Sequence, residues 1–204
     1  MEPTLTDYIQ NFLLDTIPDE LDAKDEIIYK LLETQANDAN SSTFREMTTL
    51  RMCNYNPVSG KLGYDGTVPD TNRPIEVKPK NIDPNSNSKN IKKLDGSGNF
   101  SDFTHKRLEK YKEDDVLMLV SGYYDGKVKF IVEFDYRSAN FYKQLSERVT
   151  KALPEGDKKG KYCRSAGFSW KHWKDANNLR LIYRSEKIDS TMMTRDFLKF
   201  IKSL

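Results

Sequence analysis

Cysteine and histidine are scarce in this chain, with two residues of each among 204. Cys53 and Cys163 stand far apart and have no metal-ligand spacing, so we expect neither a zinc site nor a disulfide framework. The sequence contains no Gly-rich phosphate loop, dinucleotide signature or internal repeat, which argues against a nucleotide cofactor and ATP dependence. We therefore expect any catalytic or binding chemistry of this chain to depend on its carboxylates and amines.

Long hydrophobic runs are also missing. The longest apolar stretches fall far short of a membrane span, so no membrane partner is expected. The N-terminus carries Glu2 and Asp7 where a secretory signal needs a basic start. We therefore expect a soluble, cytoplasmic protein.

The charge of the chain is unevenly distributed along a length that suits one domain. A chain of 204 residues can bury a substantial core without splitting, so we interpret residues 1–204 as a single domain. The net charge of +2 combines −8 in residues 1–50, from 11 acidic and 3 basic groups, with +10 in the remainder. A basic remainder suits a DNA partner, because Lys and Arg neutralise phosphates. A solvated surface of mixed charge explains the same excess equally well.

Hydrophobic periodicity and turn residues predict a mixed helix and strand pattern. Residues 1–42 form an acidic helical section, and residues 43–204 form the core, which opens with a helix over 43–53. Asp125-Gly126 between two apolar runs predicts a hairpin of buried strands. The other expected elements are helices over 5–16 and 22–36, a helix capped by Ser101 or Asp102, a helix over 140–153, a strand over 179–183, and a closing helix over 191–204 capped by Ser190.

Residues 61–80, KLGYDGTVPDTNRPIEVKPK, carry the strongest chemical signal in the chain. Strand formers lie on both sides of PDTNRP, which predicts a β-hairpin. Because strand side chains alternate between faces, Glu76 and Lys78 share one face and Val77 lies on the other. If the two prolines bracket the turn, Asp65 falls about opposite Lys78 and near Glu76. Two carboxylates at one sheet edge form a hard-oxygen site suited to Mg²⁺.

This arrangement resembles the PD-(D/E)XK nuclease superfamily, which contains most type II restriction endonucleases. In that family the Asp and Glu bind the catalytic metal, and the Lys orients or helps activate the attacking water. The resemblance assigns these roles to Asp65, Glu76 and Lys78. It also implies an α/β (α+β) fold with a restriction-endonuclease-like αβββαβ core, in which helices flank a mixed central sheet. We reject the literal Pro69-Asp70 pair, because Asp70 is too near Glu76 for a turn and a second strand.

The same resemblance extends the expected metal site. Some relatives add a carboxylate from the helix before the hairpin, which makes Glu46 a candidate third acid, and the backbone carbonyl of Val77 is a further candidate ligand. A solvent-facing helical Glu is the alternative for Glu46. The expected cofactor is Mg²⁺, and we expect Mn²⁺ to substitute for it.

Two segments are predicted to be DNA-contacting loops. Residues 81–102 are rich in Asn, Ser, Gly and Lys without an apolar period, and a loop of that length is usually functional or disordered. Residues 154–175 mix basic and aromatic side chains that suit phosphates and bases, although for Trp170 and Trp173 we favour burial. The candidate DNA-binding residues are Lys80, Lys89, Asn90, Lys92, Lys93, Lys161, Arg164 and Lys171.

The resemblance implies a type II restriction endonuclease that hydrolyses phosphodiester bonds at a short specific site in double-stranded DNA. A homodimer is expected, because a two-fold protein matches a two-fold site. Two alternatives stay open. One is a repair, recombination or phage nuclease of the same superfamily that acts on structured DNA, and the other is a non-catalytic DNA-binding protein.

Overall fold

A computed structural model describes residues 3–38, 42–58, 63–86 and 92–204. Lys89 and Asn90 lie outside the described residues. The helices are α1 Leu5–Leu14, α2 Ala23–Asn37, α3 Ser42–Met52, α4 His105–Glu113, α5 Ala139–Ala152, α6 Trp170–Trp173 and α7 Arg195–Ser203. The strands are β1 Asn56–Pro57, β2 Gly66–Thr67, β3 Pro74–Ile82, β4 Gly98–Phe103, β5 Leu117–Tyr124, β6 Lys127–Asp135, β7 Cys163–Phe168 and β8 Arg180–Arg184.

The central feature is a six-stranded mixed sheet in the order β1-β2-β3-β5-β6-β8. Strands β3 and β5 are parallel, with α4 in the connection between them, and the other neighbours are antiparallel. The predicted hairpin at Asp125-Gly126 is confirmed, with φ of +54° and +72° at these residues. Two positive φ angles are what a tight two-residue hairpin turn requires.

Helices α1 to α3 cover one face of this sheet, and the predicted helical character of the N-terminal section is confirmed. The side chain of Thr4 caps α1 and Asp22 caps α2, so both helices begin at residues that satisfy free backbone N–H groups. Their apolar side chains pack on the β3 and β5 residues that point to this face. That cluster contains Tyr8, Phe12, Leu13, Tyr29, Ala36, Leu50, Ile75, Val77, Leu117, Leu119, Tyr123, Val128 and Ile131.

The other face is covered by α4 to α7 and by a separate two-stranded sheet made of β4 and β7. Strand β5 contributes Met118 and Val120 to this second core and Leu119 to the first. The alternation explains why the run of residues 116–120 is apolar at every position. Trp173 is fully buried in the second core, so its predicted burial is confirmed, whereas Trp170 packs against this core and is only partly buried.

Two predicted loops are wrong. The segment 81–102 contains the end of β3 and most of β4, and the segment 154–175 contains β7 and α6. These strands form because Phe100 and Phe168 bury their rings in the second core. Among the described residues, no helix is long and apolar enough to cross a bilayer.

Two predicted helix caps are also wrong, although both helices exist. Helix α4 begins after Thr104, whose hydroxyl accepts a hydrogen bond from the Arg107 N–H, and not after Ser101 or Asp102. Helix α7 begins after Thr194 instead of Ser190. The segment just before α7 forms a turn in which the Asp189 carboxylate accepts the Thr191 N–H at 2.7 Å.

Candidate active site

The register of the short hairpin places Asp65 beside Glu76. In the ladder Gly66 pairs with Ile75, and the Asp65 N–H donates to the Ile75 carbonyl at 3.0 Å. Asp65 therefore lies across from Glu76, and the predicted position opposite Lys78 is wrong by two residues. The turn closes between Val68 and Arg73, one residue earlier on each strand than the bracketing prolines suggested.

The Asp65 carboxylate completes the free edge of β3. Strand β2 ends its ladder at Gly66, and Oδ2 of Asp65 accepts the Val77 N–H at 2.7 Å where the next strand residue would pair. The N–H and carbonyl of one strand residue point to the same side, so the Val77 carbonyl faces this edge too. Asp70 is exposed in the turn, which supports the choice of Asp65 over the literal Pro-Asp pair.

Glu76 and Lys78 lie on one face of β3, as predicted, with Val77 in the core of the opposite face. The Lys78 ammonium forms an ion pair with Oε1 of Glu76, whose residue is only 3% exposed. The same ammonium lies 4.6 Å from the centre of the Phe100 ring. A buried carboxylate needs such partners, because the cost of removing an unpaired charge from water is large.

Two residues on α4 complete this arrangement, and neither was predicted from the sequence. The Tyr111 hydroxyl donates to Oε2 of Glu76 at 3.0 Å, and the Arg107 guanidinium donates to the Tyr111 oxygen at 2.9 Å. Arg107 and Tyr111 are four residues apart on one helix face, which is the only signal that the sequence offers for the pair. The strand that this face meets depends on the crossover from β3 to β5.

Burial, together with repulsion among the carboxylates, shapes the electrostatics of the site. Burial, followed by the negative charge of Glu76, raises the pKa of Asp65 to about 7, although Lys78 and the Val77 N–H oppose the shift. Burial also raises the pKa of Glu46, which lies half-buried on α3, and Glu76 adds to that shift while Lys78 opposes it. The three acids therefore share one electrostatic neighbourhood with Lys78.

These residues fit a hard divalent cation. Mg²⁺ usually takes one or two protein carboxylates and completes its shell with water and substrate phosphate. Asp65, Glu76 and the Val77 carbonyl supply such oxygen ligands, although Glu76 must first release Lys78. Burial and carboxylate repulsion both disfavour the ionised forms of Asp65 and Glu46, and a bound cation would offset this cost. Within the described ranges, no three Asp, Glu, His or Cys side chains are grouped closely enough to hold a metal by themselves.

A cleft of about 420 Å³ opens beside this site. Ser42 and Glu46 of α3 form one wall, and residues 77–80 of β3 form the floor. The other wall consists of Ser97, Gly98, Asn99 and Ser101. Lys80 reaches into the wall, where its ammonium donates to Asp95 at 2.7 Å and to Ser97 at 2.8 Å. Its charge is therefore already balanced within the protein.

Of the remaining candidate DNA-binding residues, those that the structure describes stand outside the lining of the cleft. Lys92, Lys93 and Lys161 are exposed, and the Lys93 ammonium donates to the Ser190 carbonyl at 2.5 Å. Arg164 is exposed on β7 and Lys171 on α6, so neither lies in the loop that was predicted to hold it. The structure thus brings together Glu46, Asp65, Glu76, Lys78 and Lys80 but does not gather the other basic candidates around them.

Comparison of the chain with known proteins identified no relative. No protein-family model matches the sequence, and no curated protein matches it either.

Proposed function

We propose that this chain is a Mg²⁺-dependent nuclease of the PD-(D/E)XK type that hydrolyses phosphodiester bonds in DNA. The observation that carries the proposal is the position of Asp65 across from Glu76 on adjacent strands, with Lys78 paired to Glu76 on the same face. A carboxylate pair and an amine at one sheet edge, beside an open cleft, is an arrangement suited to metal-assisted hydrolysis.

The order of elements supports the same proposal. The succession α3-β1-β2-β3-α4-β5 follows the αβββαβ order, with β4 inserted before α4. Strands β1, β2 and β3 form an antiparallel meander, and β5 returns parallel to β3. This topology positions the open edge of β3, and with it Asp65 and Glu76, between α3 and β4.

The residues of the site take distinct roles in the proposed reaction. Asp65, Glu76 and the Val77 carbonyl would hold the Mg²⁺ ion, and Glu46 is the candidate for a further ligand. When bound, Mg²⁺ supplies Lewis-acid polarisation of the phosphate and makes water easier to deprotonate. With Glu76 serving the ion, Lys78 would donate to the phosphate or to the attacking water and would stabilise the developing negative charge.

The specific form of the activity that we propose is that of a type II restriction endonuclease. It would act as a homodimer on a short site in double-stranded DNA, because cutting both strands of a two-fold site needs two copies of one active site. The basic excess of +10 after residue 50 supports binding to DNA phosphates.

The test is incubation of the purified chain with phage DNA and with a forked duplex, in Mg²⁺ and in a chelator. We expect discrete fragments of phage DNA in Mg²⁺ only. Preference for the fork would indicate the structure-specific alternative, and absence of cleavage from every substrate would overturn the nuclease proposal. Lys78→Ala should abolish cleavage, whereas Lys143→Ala, which removes an exposed lysine of α5, should leave it unchanged.

A further inference from the structure

Strands β4 and β7 form an antiparallel ribbon with two different faces. One face buries Phe100, Phe103 and Phe168 in the second core. The other exposes Asn99 and Ser101 of β4 and Ser165 of β7. Ser101 pairs with Ser165 in the ladder and Asn99 pairs with Gly167, so the small polar side chains continue from one strand to the next. This exposed surface is called the ribbon face below.

The ribbon face begins inside the cleft that holds Lys78. Asn99 and Ser101 line that cleft, opposite Glu46 on the α3 wall. The ribbon packs directly on the catalytic strand, since a Cβ added at Gly98 would lie 3.1 Å from Cβ of Lys78. A substrate strand that reaches Lys78 through this cleft therefore passes between Glu46 on one side and Asn99 and Ser101 on the other.

The chemistry of the ribbon face suits a sugar-phosphate backbone. Hydroxyl and amide side chains, together with backbone N–H groups, supply a large share of the hydrogen bonds that proteins make to phosphate and sugar. The adjoining segment 155–164 carries Lys158, Lys159, Lys161 and Arg164 against Glu155 and Asp157, a net charge of +2. Asp102 marks the end of the face, because its φ of +50° breaks the strand alternation there.

We propose that the ribbon face binds the backbone of the DNA strand that is cut, in a path from Lys78 across Asn99 and Ser101 to Ser165. This inference rests on the proposed nuclease function and assigns it a binding surface. The two-stranded sheet would then have two roles, because its aromatic face packs in the core and its exposed face binds DNA.

The test introduces one negative charge at a time along the path. Asn99→Asp keeps the shape of the side chain, and Ser165→Asp places the same charge on the second strand. We measure affinity for a labelled duplex by fluorescence anisotropy in the Asp65→Asn background, where cleavage is blocked. Each variant should weaken binding by about tenfold, since like charges repel strongly at short range. The loss should shrink as salt rises.

Asn177→Asp is the matched control, because Asn177 is exposed in the turn before β8, at the far edge of the sheet. It should change affinity by less than about twofold, as separated exposed charges are screened. Equal effects of Asn99→Asp and Asn177→Asp would overturn the inference, and so would a loss at Asn99 without one at Ser165. Wild-type protein that cuts DNA while these variants bind normally would overturn the inference alone. Wild-type protein that neither binds nor cuts DNA would overturn the proposed function, and the inference with it.

Discussion

The Tyr111 hydroxyl donates to one carboxylate oxygen of Glu76, and the Lys78 ammonium pairs with the other. Burial and the negative charge of Glu76 raise the pKa of Tyr111 well above its ordinary value, so the phenol stays protonated. Its oxygen accepts from Arg107, which fixes the direction of both hydrogen bonds. Tyr111 therefore orients Glu76 while leaving Oε1 for Lys78 or for a cation.

Removing this hydroxyl should weaken both metal binding and the fold. In Tyr111→Phe the ring keeps its edge contacts with Tyr64 and Phe103, but Glu76 loses a buried donor. We expect Mn²⁺ binding, measured by calorimetry, to weaken by about ten- to a hundredfold, which is typical when a group that orients a metal ligand is lost. The free energy of unfolding should fall by about 1.5 to 3 kcal/mol, as for a hydrogen bond to a charged group.

Tyr136→Phe is the control for that change. Tyr136 belongs to the same aromatic cluster, and its hydroxyl donates to the Leu108 carbonyl at 3.3 Å, away from Glu76. It should lose about 1 kcal/mol of stability without any change in Mn²⁺ affinity. Equal metal affinity in wild type and Tyr111→Phe would show that the hydroxyl does not orient Glu76.

Two aspartates of one hairpin provide a direct test of the site. Asp65 accepts the Val77 N–H beside Glu76, whereas Asp70 is exposed in the turn. Asp65→Asn should lower DNA cleavage by at least about a hundredfold, because a charged ligand of the proposed metal site is replaced by a neutral one. Asp70→Asn should keep wild-type activity. The reverse result, with activity lost only in Asp70→Asn, would move the catalytic acid to the literal Pro-Asp pair.

Local sequence predicted the elements whose signals are local. Helices α1 to α3, the Asp125-Gly126 turn and the alternation that puts Glu76 and Lys78 on one face all follow from spacing within a few residues. Strand β4 was missed because Asp102 adopts a positive φ and breaks the alternation between Phe100 and Phe103. The helix cap at Thr104 was missed together with the end of that strand.

The details of the site depend on contacts between distant segments. The strand pairing of Asp65 is set by the hydrogen bonds that close the turn at Val68 and Arg73, and two prolines gave the wrong closing point. Tyr111 reaches Glu76 from 35 residues away, through a helix whose placement depends on the parallel pairing of β3 and β5. No short-range sequence pattern predicts that contact.

The titration of Asp65 should appear in the stability of the protein. Its pKa is about 7 in the folded state and about 4 in an unfolded chain, so between these values the folded state retains a proton that the unfolded state has lost. Stability should therefore fall as pH rises from 4 to 7, by at most about 4 kcal/mol from this group. Urea unfolding of wild type and Asp65→Asn across this range measures the difference, which should be constant above pH 7.

Mg²⁺ should reverse this loss. At pH 8 Asp65 is ionised and free to bind the cation, whereas at pH 5 it holds a proton that the cation must displace. Millimolar Mg²⁺ should therefore raise the melting temperature of wild type more at pH 8 than at pH 5, and should not raise that of Asp65→Asn. An identical shift at both pH values, or an equal shift in the variant, would place the bound cation elsewhere.

The close approach between the ribbon and β3 makes Gly98 a sensitive position. A Cβ added there would lie 2.6 Å from Cζ of Phe168 and 3.1 Å from Cβ of Lys78. Phe168 is buried among aromatic rings and has little room to move, so Gly98→Ala should cost about 1 to 3 kcal/mol of stability through overpacking. It should also lower cleavage, because relief of the clash displaces Lys78.

Gly167→Ala is the matched control on β7, since its Cβ would meet only the Gly98 carbonyl oxygen at 3.9 Å. In thermal denaturation, Gly98→Ala should be clearly less stable than wild type. The stability of Gly167→Ala should lie within about 0.5 kcal/mol of wild type, as for a change without a clash. If the two variants are equally stable, β4 and β3 are not in the tight contact that holds Lys78 over Phe100.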